Sequence, residues 1–293
     1  MTANKHLLAI TSILELSKVK ITVAVSFTTI TGYLLASKTY NLGFILPTLG
    51  IFLLACSSSV INHLQEAKTD AKMERTKQRP IPSGRISTQG AAFISVFQFA
   101  AGSFLLLFSS NLLALMLAWL ALVWYNFIYT PLKKITPNAV IPGSVIGAIP
   151  PLVGWVAAGG PLLSADAWIM ALFFFIWQVP HFYLLVLKYG KQYEEAGFPS
   201  LTQVYTDTQI KRIIFYWILG TVTTALILPL FGLISSTISL GGLIISCIWI
   251  LTLFVKMIRS EAAISAGRYF MRINYFVLVV ILLLAFDQAF INL

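Results

Sequence analysis

The segment NHLQEAKTDAKMERTKQRP, residues 62–80, carries the side chains best suited to chemistry. Asn62, Glu66 and Asp70 recur every four residues, so on a helix they form one oxygen-rich stripe. Hard divalent cations, Mg2+ above all, bind carboxylate and amide oxygens together with the oxygens of a bound phosphate. Lys72, Arg75 and Arg79 follow closely, and guanidinium forks suit phosphate oxygens. An acidic stripe with basic groups behind it is what binding a metal–diphosphate complex requires. A solvated juxtamembrane helix would carry the same charge run, and spacing alone leaves both readings open.

Two further clusters carry weaker signals. In YTPLK, Tyr129 and Lys133 are four apart and share a face, where a hydroxyl and an ammonium could hold a diphosphate and stabilise charge as it leaves. An interfacial tyrosine beside a topogenic lysine pair explains the same residues. Lys134 and Asn138 are secondary candidates. In WQVPHFY, Pro180 is expected to break the helix just before His181. A lone histidine on an apolar helix is more often a packing residue, yet an ionisable group within a span is a functional candidate by default. His63 is well placed beside Asn62, and His6 reads as a solvated tail residue.

The elements that position these groups follow from composition. The chain of 293 residues is 58% hydrophobic and 10% charged, with a mean hydropathy of +0.86. Repeated apolar runs of about twenty residues, without period-two alternation, specify membrane-spanning helices and not a barrel. The expected fold is all-α, a polytopic bundle of about nine transmembrane helices, near 20–36, 43–62, 91–109, 112–129, 139–158, 166–187, 213–233, 238–256 and 272–291. On that reading nearly all Lys and Arg fall in alternate connections, Lys38 being the exception. The N-terminus is therefore expected on the cytoplasmic side, and residues 1–19 form a cytoplasmic segment in which 7–17 lie along the membrane surface as an amphipathic helix. The net charge of +10 is thus explained by topology, and no nucleic-acid partner is needed. The two cysteines, Cys56 and Cys247, both fall inside spans, which argues against a disulfide framework. A single membrane domain covers 1–293, with elaborated cytoplasmic loops at 62–90, 129–138 and 188–212. Pro142, Pro150 and Pro151 are expected to kink the fifth span.

The stripe resembles the first signature of the UbiA superfamily of intramembrane prenyltransferases, N-x-x-x-D-x-x-x-D. Its extension KMERTKQRP, the block WYNFIYTPLKKITPNAVIPGSVIGAIPPLVGW at 124–155 and FIWQVPHFY at 175–183 are similar to the branch that farnesylates protohaem IX. The resemblance implies a nine-helix bundle around a lipid-accessible cavity that holds farnesyl diphosphate and haem B. It implies that Asn62, Glu66 and Asp70 hold Mg2+, that Lys72, Arg75, Arg79, Lys133 and Lys188 bind the diphosphate, and that Tyr129 and Lys133 act in catalysis. His181, Trp177 and Tyr183 are implied at the acceptor, His181 also in proton transfer. Trp124, Tyr125, Phe127 and Phe182 are further aromatics that could line the cavity, ordinary packing being the commoner fate of any one of them. The implied reaction makes haem O, farnesylating the 2-vinyl group in the bilayer, on the cytoplasmic side of a bacterial inner membrane. A haem A synthase or a terminal-oxidase assembly factor is the implied partner.

Two departures from the family pattern stand out. Glu66 occupies a position where the superfamily usually has Asp. The superfamily's second acidic motif is replaced by Lys188 and Gln192, with Glu194 and Glu195 two or three residues late on another face. Either one Mg2+ suffices with Lys188 on the phosphate, which is the preferred reading, or Glu195 takes over, or activity is impaired. Rival functions are a UbiA enzyme with another aromatic or tetrapyrrole acceptor, a non-catalytic haem-binding or oxidase-assembly protein, and a transporter. The last would require ionisable groups near mid-membrane, and only Asp287 comes near that description.

Overall fold

A computed structural model describes the backbone of residues 2–38 and 42–291 and the side chains of 8–38 and 42–288. The side chains of Lys5 and His6 lie outside that range. The helices are α1 (Thr2–Leu16), α2 (Val19–Ser37), α3 (Ile45–Asp70), α4 (Thr88–Ser109), α5 (Leu112–Val123), α6 (Thr130–Leu132) and α7 (Val140–Gly143). They continue with α8 (Val145–Ala157), α9 (Ala165–Lys188), α10 (Gly190–Glu195), α11 (Leu201–Val204), α12 (Asp207–Ile227), α13 (Thr237–Arg259) and α14 (Ala266–Ile291). Among the described residues there is no strand, and nine helical stretches are long and apolar enough to cross a membrane. The chain is an integral, multi-pass membrane protein.

Helix starts are written into the sequence. Ser87, Asn111, Ser164, Thr206 and Ser236 each accept a backbone N–H of the first turn of α4, α5, α9, α12 and α13, a cap worth about 0.5–2 kcal/mol where it is needed. At the far end of the bundle, buried Asp287 of α14 accepts the backbone N–H groups of Ser235 and Ser236 at 2.7 and 2.8 Å. That carboxylate ties α14 to the start of α13.

Consecutive spans pack side by side from α2 through α3, α4, α5, α8, α9, α12 and α13 to α14, and α14 closes the ring against α2 and α9. Apolar side chains such as Phe93, Phe97, Phe104, Phe108 and Ile245 face outward, as a lipid-facing surface requires. α2 and α8 approach closely enough to exclude side chains at two points. A Cβ on Gly32 would stand 1.9 Å from the Pro151 carbonyl oxygen, and one on Gly154 would stand 1.9 Å from that of Thr29. Lipid is as apolar as leucine, so helices in it gain by close backbone contact, and small residues permit that contact.

Four expectations are corrected. The second span does not end at residue 62, because α3 continues for two further turns to Asp70 and carries the whole stripe. Pro180 does not break α9, which runs unbroken from Ala165 to Lys188. A proline removes one backbone hydrogen bond, and neighbouring helices can absorb that loss inside a membrane bundle. In the fifth span Pro150 and Pro151 lie within α8, and the interruption falls at Ser144, just after Pro142. The N-terminal segment is helical from Thr2 to Leu16, longer than expected. It is anchored by buried Leu16 and by Arg85, whose guanidinium reaches Glu15 at 2.6 Å and Ser12 at 3.2 Å.

The α2–α8 contact makes a testable demand. Gly32→Ala should destabilise the protein by about 1–3 kcal/mol, the usual range for overpacking, in unfolding measured in detergent. Gly241→Ala, where an added Cβ meets nothing within 4 Å, should be neutral or gain up to about 1 kcal/mol.

Candidate active site

Asn62, Glu66 and Asp70 line one face of α3 and are 1%, 5% and 1% exposed. Each is met by a base from a different segment. Lys18 Nζ donates to Asn62 Oδ1 at 2.8 Å. Lys133 Nζ lies 2.7 Å from Glu66 Oε1 and donates to Oε2 at 2.9 Å. Arg79 Nη1 donates to Asp70 Oδ2 at 2.7 Å. Asn62 Nδ2 also donates to Glu66 Oε2 at 3.1 Å and to Thr130 Oγ1 at 3.2 Å. The spacing read as one face is therefore one face, and three cations converge on it.

Local backbone features deliver those cations. Lys18 sits between α1 and α2 with φ 48° and ψ 46°, a left-handed conformation that is uncommon for a residue with a side chain. It turns the chain at the α1–α2 junction beside α3. Lys133 follows a stretch of wider π-type turns, Trp124–Tyr129, whose close is the Thr130 N–H bonded to the Tyr125 carbonyl. Such turns are rare and recur at functional sites. Tyr125 and Tyr129 stack at 5.7 Å, and Lys133 Nζ stands 5.7 Å from the Tyr129 ring. Gly143 makes room for that ring, since a Cβ there would touch it at 2.6 Å. Arg79 is carried by the connection after Asp70, which Thr76 pins by donating to the Asp70 carbonyl at 2.9 Å.

Charge follows from this crowding. Burial works against the Lys133 ammonium, but the Glu66 carboxylate prevails and raises its pKa. Lys18 has an amide for its closest partner and two cations, Arg79 and Lys133, nearby. Burial first, then those charges, pulls it down to about 7.

The third cluster adjoins the second through aromatic rings. Tyr129 stacks on Phe182 at 5.7 Å, Phe182 meets His181 at 5.6 Å, and His181 touches Trp177 at 5.2 Å and Phe270 at 4.7 Å. His181 Nδ1 is 2.7 Å from Asn274 Oδ1, and Trp177 Nε1 donates to the Ile273 carbonyl at 3.2 Å. With Asn274 accepting, Nδ1 carries the proton and Nε2 keeps its lone pair. Arg75 and Lys188 meet at Tyr189, 4.5 and 5.2 Å from its ring.

Other candidates stand apart. Lys72 and Lys134 are exposed and no hydrogen bond or ion pair joins them to the cluster. Tyr183 is buried and donates to Asn138 at 3.2 Å, while Asn138 Nδ2 reaches Tyr205 at 3.4 Å. That pair ties α9 to the 129–138 and 201–205 segments. Trp124 donates to the Pro142 carbonyl, and Phe127 is 61% exposed on the outer face. His63 is buried with neither nitrogen partnered. Glu194 caps its own loop through Ser200 and Thr202, and Glu195 is exposed.

Lys18, Thr130 and Asn274 belong to the clusters but were not singled out by sequence, whereas Tyr125 was expected only as a cavity-lining aromatic. Lys18 is indistinguishable there from Lys20, one more basic residue at the start of a span. Asn274 carried one unused signal, a lone amide in an apolar run.

The oxygen set fits Mg2+. Among the described residues no three His, Cys, Asp or Glu side chains form a cage. Mg2+ is commonly held by one or two carboxylates together with substrate phosphates and waters, and two carboxylates, an amide and three nearby cations are compatible with that arrangement.

The model of the UbiA prenyltransferase family matches residues 25–284. Among similar proteins, protoheme IX farnesyltransferase of Oleidesulfovibrio alaskensis is 35% identical over 73% of this chain and 75% of its own. That of Leptospira interrogans is 33% identical over 87% of this chain and 89% of its own. Among solved structures, one of digeranylgeranylglyceryl phosphate synthase superposes with a TM-score of 0.77 at 20% identity, covering 96% of this chain and 98% of that one. A UbiA homologue from Archaeoglobus fulgidus bound to GPP and Mg2+ superposes with 0.68 at 14% identity, covering 96% and 100%.

The Glu66–Lys133 pair should be strongly coupled. A double-mutant cycle of Glu66→Gln and Lys133→Met, read by unfolding in detergent, should give about 1–3 kcal/mol. The same cycle on Glu74 and Lys77, whose side chains are 77% and 45% exposed, should give about 0–1 kcal/mol.

Proposed function

This chain belongs to the UbiA prenyltransferase family, and we propose that its α3 stripe, with the bases that close on it, is where the diphosphate departs. The enzyme farnesylates haem: it transfers the farnesyl group of farnesyl diphosphate to the 2-vinyl group of protohaem IX, making haem O. The observation that carries the site assignment is the convergence of Lys18, Arg79 and Lys133 on Asn62, Asp70 and Glu66, one aromatic step from Phe182 and His181.

The residues divide the work by chemistry. Asn62, Glu66 and Asp70 would hold Mg2+, which supplies charge neutralisation at the leaving diphosphate. Arg79, Lys133 and Lys18, which pair with the stripe, are the cations within reach of phosphate oxygens. Arg75 and Lys188 both stand against the Tyr189 ring and suit the diphosphate's first capture. Tyr129 offers its hydroxyl to the diphosphate and its ring to the allylic carbon. As the C–O bond breaks, the diphosphate takes the electron pair and positive charge grows on that carbon, where the Tyr125, Tyr129 and Phe182 faces stabilise it. The vinyl carbon then bonds to it, and water adds at the remaining cationic centre with loss of a proton. His181 Nε2, held by Asn274, is the base available on the acceptor side.

Lys188 and Gln192 replace the family's second acidic motif, and the exposed Glu195 is a poor substitute. This supports a single metal site with Lys188 acting on the phosphate directly. By the distribution of Lys and Arg, the N-terminus and the site lie on the cytoplasmic face, of the inner membrane if the source is bacterial. Release of haem O towards a haem A synthase or an oxidase-assembly factor fits a lipid-facing bundle.

The test is purified protein with haem B, farnesyl diphosphate and Mg2+, followed by mass spectrometry of the extracted haem. A haem O mass that disappears with EDTA is the expected result, and no haem product from folded protein would reject it. Asp70→Asn should lower turnover by about a hundredfold or more with an unfolding midpoint near that of the parent. Gln192→Asp should retain activity, and a clear loss would contradict the single-metal reading.

A further inference from the structure

Away from the α3 stripe, a second cluster of cations surrounds a cavity of about 180 Å3 between the ends of α12, α13 and α14. Lys211, Arg268 and Arg272 line it, with Tyr269 and the 260–265 connection. Lys211 is 7% exposed, and its Nζ donates to the Ser260 and Ala262 carbonyls at 2.7 and 2.8 Å. Those bonds satisfy two of its three N–H groups with neutral carbonyls at the end of α13. Among the described residues none of the four ion pairs includes Lys211, Arg268 or Arg272. The acidic residues nearest in sequence, Asp207 and Glu261, are both exposed.

Topology does not account for this arrangement. A positive-inside bias requires basic residues in a connection, with no demand on burial or grouping. Lys211 is buried, Arg272 half-buried and Arg268 exposed, so three like charges of graded accessibility share one cavity, and an anion there offsets their mutual repulsion. The cavity has several times the roughly 10–15 Å3 that one water needs. It lies where three candidate spans end, and basic pockets between helices near span ends suit anionic headgroups. Arg272 packs 5.3 Å from the Tyr269 ring, which fixes the direction of its planar fork.

We propose that the Lys211–Arg268–Arg272 cavity binds a phosphate group, that of an anionic lipid headgroup or free phosphate. It is separate from the prenyl-transfer site. Arg268, Tyr269 and Arg272 lie on one flank of α14, whereas Phe270, Ile273 and Asn274 on the other flank contact Trp177 and His181. The same helix therefore has an acceptor-side face and a phosphate-side face, and an occupied cavity steadies the segment that carries Asn274.

The test uses the full-length protein, delipidated in detergent, and reads the unfolding midpoint and bound mass in titrations. Phosphatidylglycerol, inorganic phosphate and an uncharged diacylglycerol of the same chains are the three probes. The midpoint should rise with phosphatidylglycerol or with phosphate, and whichever raises it identifies the source. Arg268→Gln/Arg272→Gln should weaken that binding tenfold or more, since each arginine contributes a charge-assisted contact. Lys256→Gln/Arg259→Gln, which removes two basic residues at the end of α13 outside the cavity, should change it less than about twofold. If the first pair fails to fold, each single arginine variant carries the same reading with a smaller change. Equal weakening by both pairs, an equal response to diacylglycerol, or no response to any probe would overturn the proposal.

Discussion

Charge compensation along α3 is the constraint on which the rest depends. Two carboxylates and an amide lie almost fully buried where a span meets the interior of the bundle. Removing an ion from water costs several kcal/mol even after relaxation, and only close opposite charge with good hydrogen bonds offsets it. No single neighbouring helix supplies that compensation. Lys18 arrives from the start of α2, Arg79 from the α3–α4 connection, and Lys133 from the end of α6. Three segments far apart in sequence must therefore close on one stripe for the fold to tolerate it.

That closure explains several features with no purpose of their own. The left-handed Lys18 and the wide turns at Trp124–Tyr129 are unfavourable locally. Each brings a cation or a tyrosine to the stripe, and the surrounding bonds hold it there. Asn126 donates to Ser58 at 2.7 Å and Gln65 donates to the Asn126 carbonyl at 3.1 Å, so α3 is clamped to the irregular segment. The glycine contacts between α2 and α8 do the equivalent for Lys18, because α2 can lie that close only without side chains at the crossing.

The sequence made the apolar spans and the stripe legible for physical reasons. A span must satisfy its own backbone and present an apolar surface over a fixed length, so composition alone reveals it. The stripe was visible because a helical period repeats oxygen-bearing residues that lipid would otherwise exclude. What escaped reading depended on the third dimension. Lys18 has the same composition signal as exposed Lys20, and only the backbone angle at the α1–α2 junction distinguishes them. Tyr183 and His181 are two residues apart, and helical geometry sends them to different neighbours, Asn138 and Asn274. Pro180 reads as a break in isolation, but α9 is held on several sides by α8, α12 and α14, and packing prevails over the local propensity.

The same pairing that stabilises the stripe would also prepare it for catalysis at the site proposed above. A cation committed to a buried carboxylate is already desolvated and already aimed, so no further reorganisation is needed when phosphate oxygens and a metal redistribute the charges. At the site proposed above the carboxylates would exchange one set of cations for another, and the bases would exchange carboxylate for phosphate, with the total charge kept near balance. Such an exchange requires that neither set be held too strongly. Lys18 meets this requirement best, since its partner is a neutral amide and two other cations crowd it. Among the three bases it has the least to lose by leaving the stripe, so at the site proposed above the α1–α2 junction would be the first point to yield to a diphosphate.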